Sequence, residues 1–400
     1  MTTAQPVNPR TITPGHQGWE RVATPGAPNK YFMVSADCHV NEPPNLWVDR
    51  IDAKYRHRLP RIEVDADGVK WSVTEGHAPQ KIRDLKLEGE DQERASAGSR
   101  DPEERLRDHA RDGIDAEIIF PNRGLTMWAT PDPEFSQAMC RVYNEWAWEV
   151  FGPYYDRLSP LACIAAGDIE GSIAEVYRVA KVGFRGLSLP CKPAWGSGKS
   201  SDPNYNLPMF DPLWAAIEET GLPMTFHVST GKDPRGAKGN GGAVINYAIH
   251  SLAPTAEPVV NLCASGVLER FPGLRFATVE AGIGWVPWLL QAMDEAYEKH
   301  HMWAFPKLQM MPSDYYRQHG RSTFGEDPPG IDLVEHYGLQ GNFMWGNDYP
   351  HHEGTWPHSA AAIERTMGHL GDPTRAAILG LNAAEFFGFE IPAWARSVPA

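Results

Sequence analysis

Three residues of metal-ligating type, Asp37, His39 and Glu42, fall within six positions of one another in the stretch 34–44. The apolar run from Tyr31 to Ala36 just ahead of them predicts a buried strand. On an extended chain, residues two apart point to the same side, so Asp37 and His39 share a face and Cys38 takes the other. A carboxylate and an imidazole side by side suit a hard or borderline divalent cation such as Mn, Fe or Zn. Glu42, just before Pro43-Pro44, is placed to turn back toward the same point. An isolated Asp-x-His pair has an ordinary explanation as a turn carrying a surface histidine. Its weight therefore depends on what the other strand ends deliver.

Those strand ends follow from a rhythm in the chain. Short apolar runs at 116–121, 158–165, 183–190, 223–228, 274–280 and 342–348 alternate with amphipathic stretches at 134–151, 169–182, 211–220, 285–299 and 373–381. The run before Asp37 makes a seventh strand, and Arg321-Ser-Thr-Phe324 is a weaker eighth. Near-continuous apolar strands alternating with helices predict a parallel α/β sheet buried on both faces. Eight such units favour a (β/α)8 TIM barrel. The competing open, doubly wound sheet lacks its usual signature, since no Gly-x-Gly-x-x-Gly follows a strand.

In a (β/α)8 barrel, chemistry sits at the C-terminal strand ends. Besides Asp37 and His39, three strands end in ligand-type residues: His227, Glu280, and Asp348 followed by His351 and His352. Singly, these read as a core histidine, an ion-pair partner and a helix N-cap. Together they match the first cluster in composition. The candidate metal ligands are thus Asp37, His39, Glu42, His227, Glu280 and Asp348, with His351 or His352 as a further ligand or a supporting residue.

The same motifs give the chain a family resemblance. Asp37-x-His39, Phe226-His227, Leu268-Glu-Arg-Phe-Pro-Gly-Leu-Arg-Phe-Ala-Thr-Val-Glu280 leading into Gly-Ile-Gly-Trp285, Asn347-Asp348-Tyr-Pro-His351 and the closing Ile378-Leu-Gly-Leu-Asn382 occur in the order found in the amidohydrolase-related branch of the amidohydrolase superfamily. The resemblance runs from about Tyr31 to the end and implies a metal-dependent barrel with Asp37, His39, His227 and Asp348 in metal-binding positions. It also implies a dimer or larger assembly, either of identical chains or with a homologous subunit. Two departures bear on mechanism. Asp37 stands where many members carry the first histidine of His-x-His, and Glu280 stands where the hydrolases and decarboxylases of the branch generally carry a histidine.

The ligand count exceeds what one tetrahedral ion needs, so one or two divalent ions (Zn, Mn or Fe) are expected. The first expectation is a hydrolase or decarboxylase acting on a small organic acid, amide or lactone. In it a metal activates water or holds the substrate, Asp348 accepts a proton, and Glu280 and His227 complete the catalytic set. The alternative is a dinuclear Fe/Mn oxidoreductase that activates oxygen, with Glu42 and Glu280 as added ligands. A barrel kept as a non-catalytic subunit is the third reading, and the intact ligand set argues against it.

Composition narrows the partners. A net charge of −14 disfavours nucleic acid and anionic membranes and leaves a small molecule as the expected partner. No apolar run is long enough to span a bilayer, and residues 1–30 are polar and proline-rich without the apolar segment of a signal peptide, so a cytoplasmic protein is expected. The five cysteines at 38, 140, 163, 191 and 263 are odd in number and lack Cys-x-x-Cys spacing, which predicts reduced thiols. Residues 1–30 read as an extended arm and 31–400 as the barrel. A polar insertion at about 46–111 contains an Asp-Gly hairpin at 61–73, with the charged stretch 81–107 as a solvated helix and loop. Arg123, Arg235, His250 and Trp285 are candidate substrate contacts by chain position, Arg235 from the glycine-rich loop 231–242. Trp128, Trp195 and Trp356 either wall a pocket or pack the core.

Overall fold

The computed structural model describes residues 31–82, 88–89, 92–93, 98, 100–193, 202–230, 237, 239–393 and 395. Eight parallel strands follow in order: β1 Val34–Val40, β2 Ala116–Pro121, β3 Leu158–Pro160 continued by Ala162–Cys163, β4 Leu187–Leu189, β5 Met224–His227, β6 Phe276–Val279, β7 Gly320–Phe324 and β8 Phe343–Trp345. Each pairs with its neighbours in parallel register from β1 through β2 to the first half of β3, and from the second half of β3 through to β8. Leu161 links the two halves of β3 by donating its N–H to Ile119 O at 3.0 Å. A bridge between Cys38 and Tyr349 closes the ring between β1 and the end of β8. The expected (β/α)8 barrel is thus present, including the weak strand at 321–324.

A helix follows each strand: α1 Pro102–Asp112, α2 Pro133–Phe151, α3 Ile169–Val182, α4 Asp211–Thr220, α5 Glu257–Ala264, α6 Val286–Lys299, α7 Pro328–Leu333 and α8 Ser359–Met367. Local sequence sets several of their ends. Asp101 and Asp132 cap α1 and α2 by accepting hydrogen bonds from the N–H groups two and three residues on, with proline at the first helical position. Asp168 caps α3, which Gly183 ends in a left-handed conformation. Apolar faces of this ring, including Val176, Val179, Trp214, Ile217, Leu262 and Leu290, pack against the outer faces of the strands.

The barrel interior is a separate cluster drawn from strands on several sides: Val34 and Ala36, Ile118 and Phe120, Leu161, Ala277 and Val279, and Met344. Phe386 and Phe387 from the C-terminal helix Asn382–Phe387 join it, so the interior is a packed core and not a pore. With that end filled, the mouth at the C-terminal strand ends is left to hold the polar residues.

The expected hairpin forms from Arg61–Val64 and Lys70–Val73, with Gly68 at φ 78° in the turn, and Gln80–Lys81 adds a third antiparallel strand. The expectation for 46–111 needs one correction. Residues 102–111 are not solvated decoration, because α1 is the first helix of the ring and buries Arg105, His109 and Asp112. A charged side chain goes inside when a partner waits there, and the partner is Glu117 on β2, a signal that composition alone does not give. All five cysteines are buried and free. No helix among the described residues is long and apolar enough to cross a membrane. Residues 1–30, Trp195 and Arg235 lie outside the described residues.

Candidate metal centre

Strand β1 carries one extra residue relative to β2 between Ser35 and Cys38. Such a bulge bends a strand and re-aims its side chains. Beyond it, Asp37 and His39 face the barrel mouth while Cys38 turns outward to pack with Tyr349 and Trp356. His227 ends β5. Glu280 and Asp348 follow β6 and β8 in left-handed backbone conformations, φ 58° and 53°, which side-chain-bearing residues rarely adopt. Strain of this kind gathers at functional sites, where the fold holds it in place.

These elements converge. His39 Nε2 and His227 Nε2 lie 3.2 Å apart. Asp37 Oδ1 is 3.6 Å from the first and 3.5 Å from the second. Asp348 Oδ1 is 3.5 Å from His39 Nε2, and Glu280 Oε2 is 3.4 Å from His227 Nε2. The opposite nitrogen of each imidazole is committed elsewhere, His39 Nδ1 to Pro121 O at 2.8 Å and His227 Nδ1 to Val228 O at 2.9 Å. A ring that donates through Nδ1 to a carbonyl presents an Nε2 lone pair. Two such lone pairs and three carboxylates around one point repel one another unless a positive charge lies among them. Asp37 Oδ1 is buried with no hydrogen-bond partner, which fits an atom meant for a cation.

In the protein alone, a proton does part of that work. Burial opposes protonation of His227, but the carboxylate of Asp37 beside it and the charge of Glu280 outweigh burial and hold the imidazole up at about 9. Burial, with His351 and His227 nearby, keeps His39 well below its usual range. Glu280 is pushed well above the ordinary carboxylate range by burial and by the charges of Asp348 and Asp37, against the opposing pull of His227 and His351. Four residues at a time meet the spacing for one ion, Asp37, His39, His227 and Glu280, or His39, Glu280, Asp348 and His351.

Other expected site residues fall differently. His351 joins the centre, with Nδ1 2.8 Å from Asp348 Oδ1 and its ring stacked on His39. His352 does not, being exposed beside Glu353. Glu42 is a correction. Both its oxygens are taken by the N–H groups of Asn122, Arg123 and Gly124 at 2.9–3.0 Å, so it pins the loop after β2 and is not turned toward the cluster. Arg123 lines a separate groove of about 390 Å³ beneath the hairpin, with Trp47, Leu59, Ile62 and Met127, and that groove contains none of the clustered residues. His250 contacts Asn246 at 3.0 Å. Trp285 donates to Ala281 O at 2.9 Å, bracing the turn after Glu280. Trp128 and Trp356 are core.

The cavity over the cluster measures about 320 Å³ and is lined by Asp37, Glu280, Asp348, Tyr247, Phe324 and Asp327 among others. That volume suits a small molecule. Sequence reasoning missed Tyr247, whose surroundings carry no motif. It also missed Asp327, which accepts hydrogen bonds from Ile283 and Gly284 N–H at 2.6 and 2.7 Å and so ties the β6 and β7 loops together.

Comparison with known proteins agrees with this architecture. The chain is 24% identical over 286 residues to γ-resorcylate decarboxylase of Rhodococcus jostii (strain RHA1), covering 66% of this chain and 83% of that one. Among solved structures, an amidohydrolase from Mycobacterium avium subsp. paratuberculosis K-10 superposes with a TM-score of 0.72 at 19% identity, covering 90% of this chain and 100% of that one. A 5-carboxyvanillate decarboxylase from Novosphingobium aromaticivorans DSM 12444, solved with bound manganese and 3-methoxy-4-hydroxy-5-nitrobenzoic acid, gives 0.66 at 16% identity, covering 90% and 97%. None of these three is named as an oxygenase, so the oxygen-activating alternative gains no support. The amidohydrolase family model matches residues 36–389, a span that takes in every strand end described above, and the chain belongs to that family.

Proposed function

We propose that the chain is a divalent-metal-dependent decarboxylase of a small aromatic acid, with the cation held by Asp37, His39 and His227, which share the spacing for one ion, and with Asp348, 3.5 Å from His39 Nε2, completing the set. The observation that carries this reading is the 3.2 Å approach of two Nε2 atoms whose Nδ1 partners are both backbone carbonyls, within reach of buried carboxylates. The manganese in the related 5-carboxyvanillate decarboxylase supports the choice of ion. Two imidazoles with carboxylates suit Mn²⁺ or Zn²⁺. When bound, such a cation supplies Lewis-acid polarisation of a substrate oxygen.

The remaining chemistry falls to the chain's own groups. Loss of CO₂ from an aromatic acid requires a proton on the ring carbon, after which the C–CO₂ bond breaks and its electron pair returns to the ring. Glu280 is placed to deliver that proton, at the mouth 3.4 Å from His227 Nε2, and burial with the neighbouring carboxylates raises it above the usual carboxylate range. Water then restores the carboxyl. Hydrolysis of an amide or lactone would instead ask for a base at this position, and the decarboxylase relatives support loss of CO₂. The cation's charge pulls Glu280 back down, and the acid limb of the rate profile reads the balance. The 320 Å³ cavity accommodates one ring, and Phe324 and Tyr247 offer it apolar and hydrogen-bonding surface.

The test is CO₂ release from γ-resorcylate and 5-carboxyvanillate by Mn²⁺-loaded protein, wild type beside Glu280→Gln. The expected result is turnover in the wild type and a loss of about 10²-fold or more in kcat in Glu280→Gln with manganese content unchanged. Unchanged kcat in the variant would remove Glu280 from the reaction. Loss of manganese would make it a ligand.

A further inference from the structure

On the outer side of β1, away from the mouth, lies a second buried polar cluster that the proposed chemistry does not use. Glu117 on β2 accepts hydrogen bonds from Arg105 Nε and, at 3.0 Å, from Arg105 Nη2, while His109 Nε2 stands 2.6 Å from Glu117 Oε2. All three side chains are buried. Burial alone would raise Glu117, yet Arg105 and His109 hold it down at about 2. Tyr349 covers the Arg105 guanidinium at 4.8 Å and donates to Asp108 Oδ2 at 2.5 Å.

Beside this group, Asn347 Oδ1 accepts hydrogen bonds from Ser35 Oγ at 2.9 Å and from Cys38 Sγ at 3.2 Å. Its backbone N–H donates to Ser35 Oγ at 3.0 Å, and its Nδ2 donates to Asp112 Oδ2 at 3.1 Å. Asp112 in turn accepts from Ser359 N–H and Oγ at 2.9 and 2.5 Å. One connected set of polar groups therefore joins α1, the β1 bulge, the end of β8 and the start of α8. Cys38, His109 and Glu117 also meet the spacing for a metal ion. The guanidinium of Arg105 already occupies Glu117 and would repel a cation, so the cluster is better understood by what it holds in place.

It stands behind the barrel's weakest seam. Between β8 and β1 the described residues show no continuous ladder, only the Cys38–Tyr349 bridge and two backbone bonds, Asp348 N–H to Asp37 O at 3.0 Å and His39 N–H to Tyr349 O at 2.6 Å. Asp37, His39 and Asp348, three of the four proposed ligands, sit on that seam. With so few ladder bonds, the separation of β1 from the β8 end rests on the side-chain bonds behind it.

We infer that Asn347, bonded to Ser35, Cys38 and Asp112 and backed by the buried Arg105–Glu117–His109 group, is a positioning residue that fixes Asp37 and His39 relative to Asp348 at cation-binding distance. The inference rests on the metal reading above.

The experiment is Mn²⁺ titration of the full-length wild type and Asn347→Ala, with the bound ion's electron paramagnetic resonance spectrum and the melting temperature of the metal-free proteins recorded alongside. The expected result is binding about 10- to 100-fold weaker in Asn347→Ala, with an altered spectrum of the bound ion. A melting temperature that falls while affinity and spectrum stay as in the wild type would reduce the network to structure and overturn the inference. Should Asn347→Ala not fold, Ser35→Ala deletes one hydroxyl of the same seam, and the same outcomes decide. A wild type that binds no Mn²⁺ would remove the metal reading and this inference with it. Wild-type binding with an unchanged variant would remove this inference alone.

Discussion

His39 and His227 face one another through Nε2 because Pro121 O and Val228 O occupy their other nitrogens. The pair is therefore set by backbone, not by chance rotamers, and it places a clear demand on protons. In the metal-free protein His227 is held up at about 9 against an ordinary value of 6.5, burial opposing and Asp37 and Glu280 prevailing. A pKa raised in the folded state contributes stability that is fully present below pH 6.5 and is lost as pH rises through about 9. A cation must displace that same proton. Mn²⁺ affinity should then rise between pH 6.5 and 9, by up to about tenfold per pH unit, which calorimetric titration at several pH values checks. A flat profile would mean that His227 carries no proton in the metal-free protein or is not a ligand.

At the scale of elements, the site depends on how closely β1 and the β8 end approach. Gly346 is the contact point, since a Cβ there would lie 2.7 Å from Asp37 Cβ and 2.9 Å from its backbone N. Gly346→Ala should push Asp37 off its position, destabilising the fold by about 1–3 kcal/mol and weakening Mn²⁺ binding by about tenfold. Thermal melting and Mn²⁺ titration measure the two effects, and wild-type values for both would show that the close approach is not needed. Much of this level was legible in the sequence. The 2-residue spacing of Asp37 and His39 and the apolar runs ending in His227, Glu280 and Asp348 follow directly from strand periodicity, which chain order alone reports. Glu42 misled because a carboxylate near a strand end also serves to collect backbone N–H groups, and the loop that supplies them, Asn122–Gly124, is eighty residues away. The Arg105–Glu117 pair was hidden for the same reason, since a charged helix reads as solvated until its partner strand is known. One hint existed: Glu117 interrupts the apolar run Ala116–Pro121.

For the molecule as a whole, the barrel keeps its interior packed and gathers most of its buried charge, among the described residues, at the mouth and at the β1–β8 seam behind it, with Glu42 and Glu175 elsewhere. The mouth gathers Asp37, Glu280, Asp348, Asp327 and Glu326 in one cavity of a chain whose net charge is −14. Such a concentration of carboxylates holds a cation and draws further cations in by its field. The same field repels an anion until that positive charge is in place, which would tie binding of the proposed acid substrate to metal loading. The most direct test is the metal content per chain of protein purified without added metal, measured by elemental analysis for the wild type and His227→Ala side by side. The expected result is about one divalent ion, Mn or Zn, per wild-type chain and a loss of most of it in the variant. Equal metal content in the two proteins, or none in either after incubation with Mn²⁺, would contradict it.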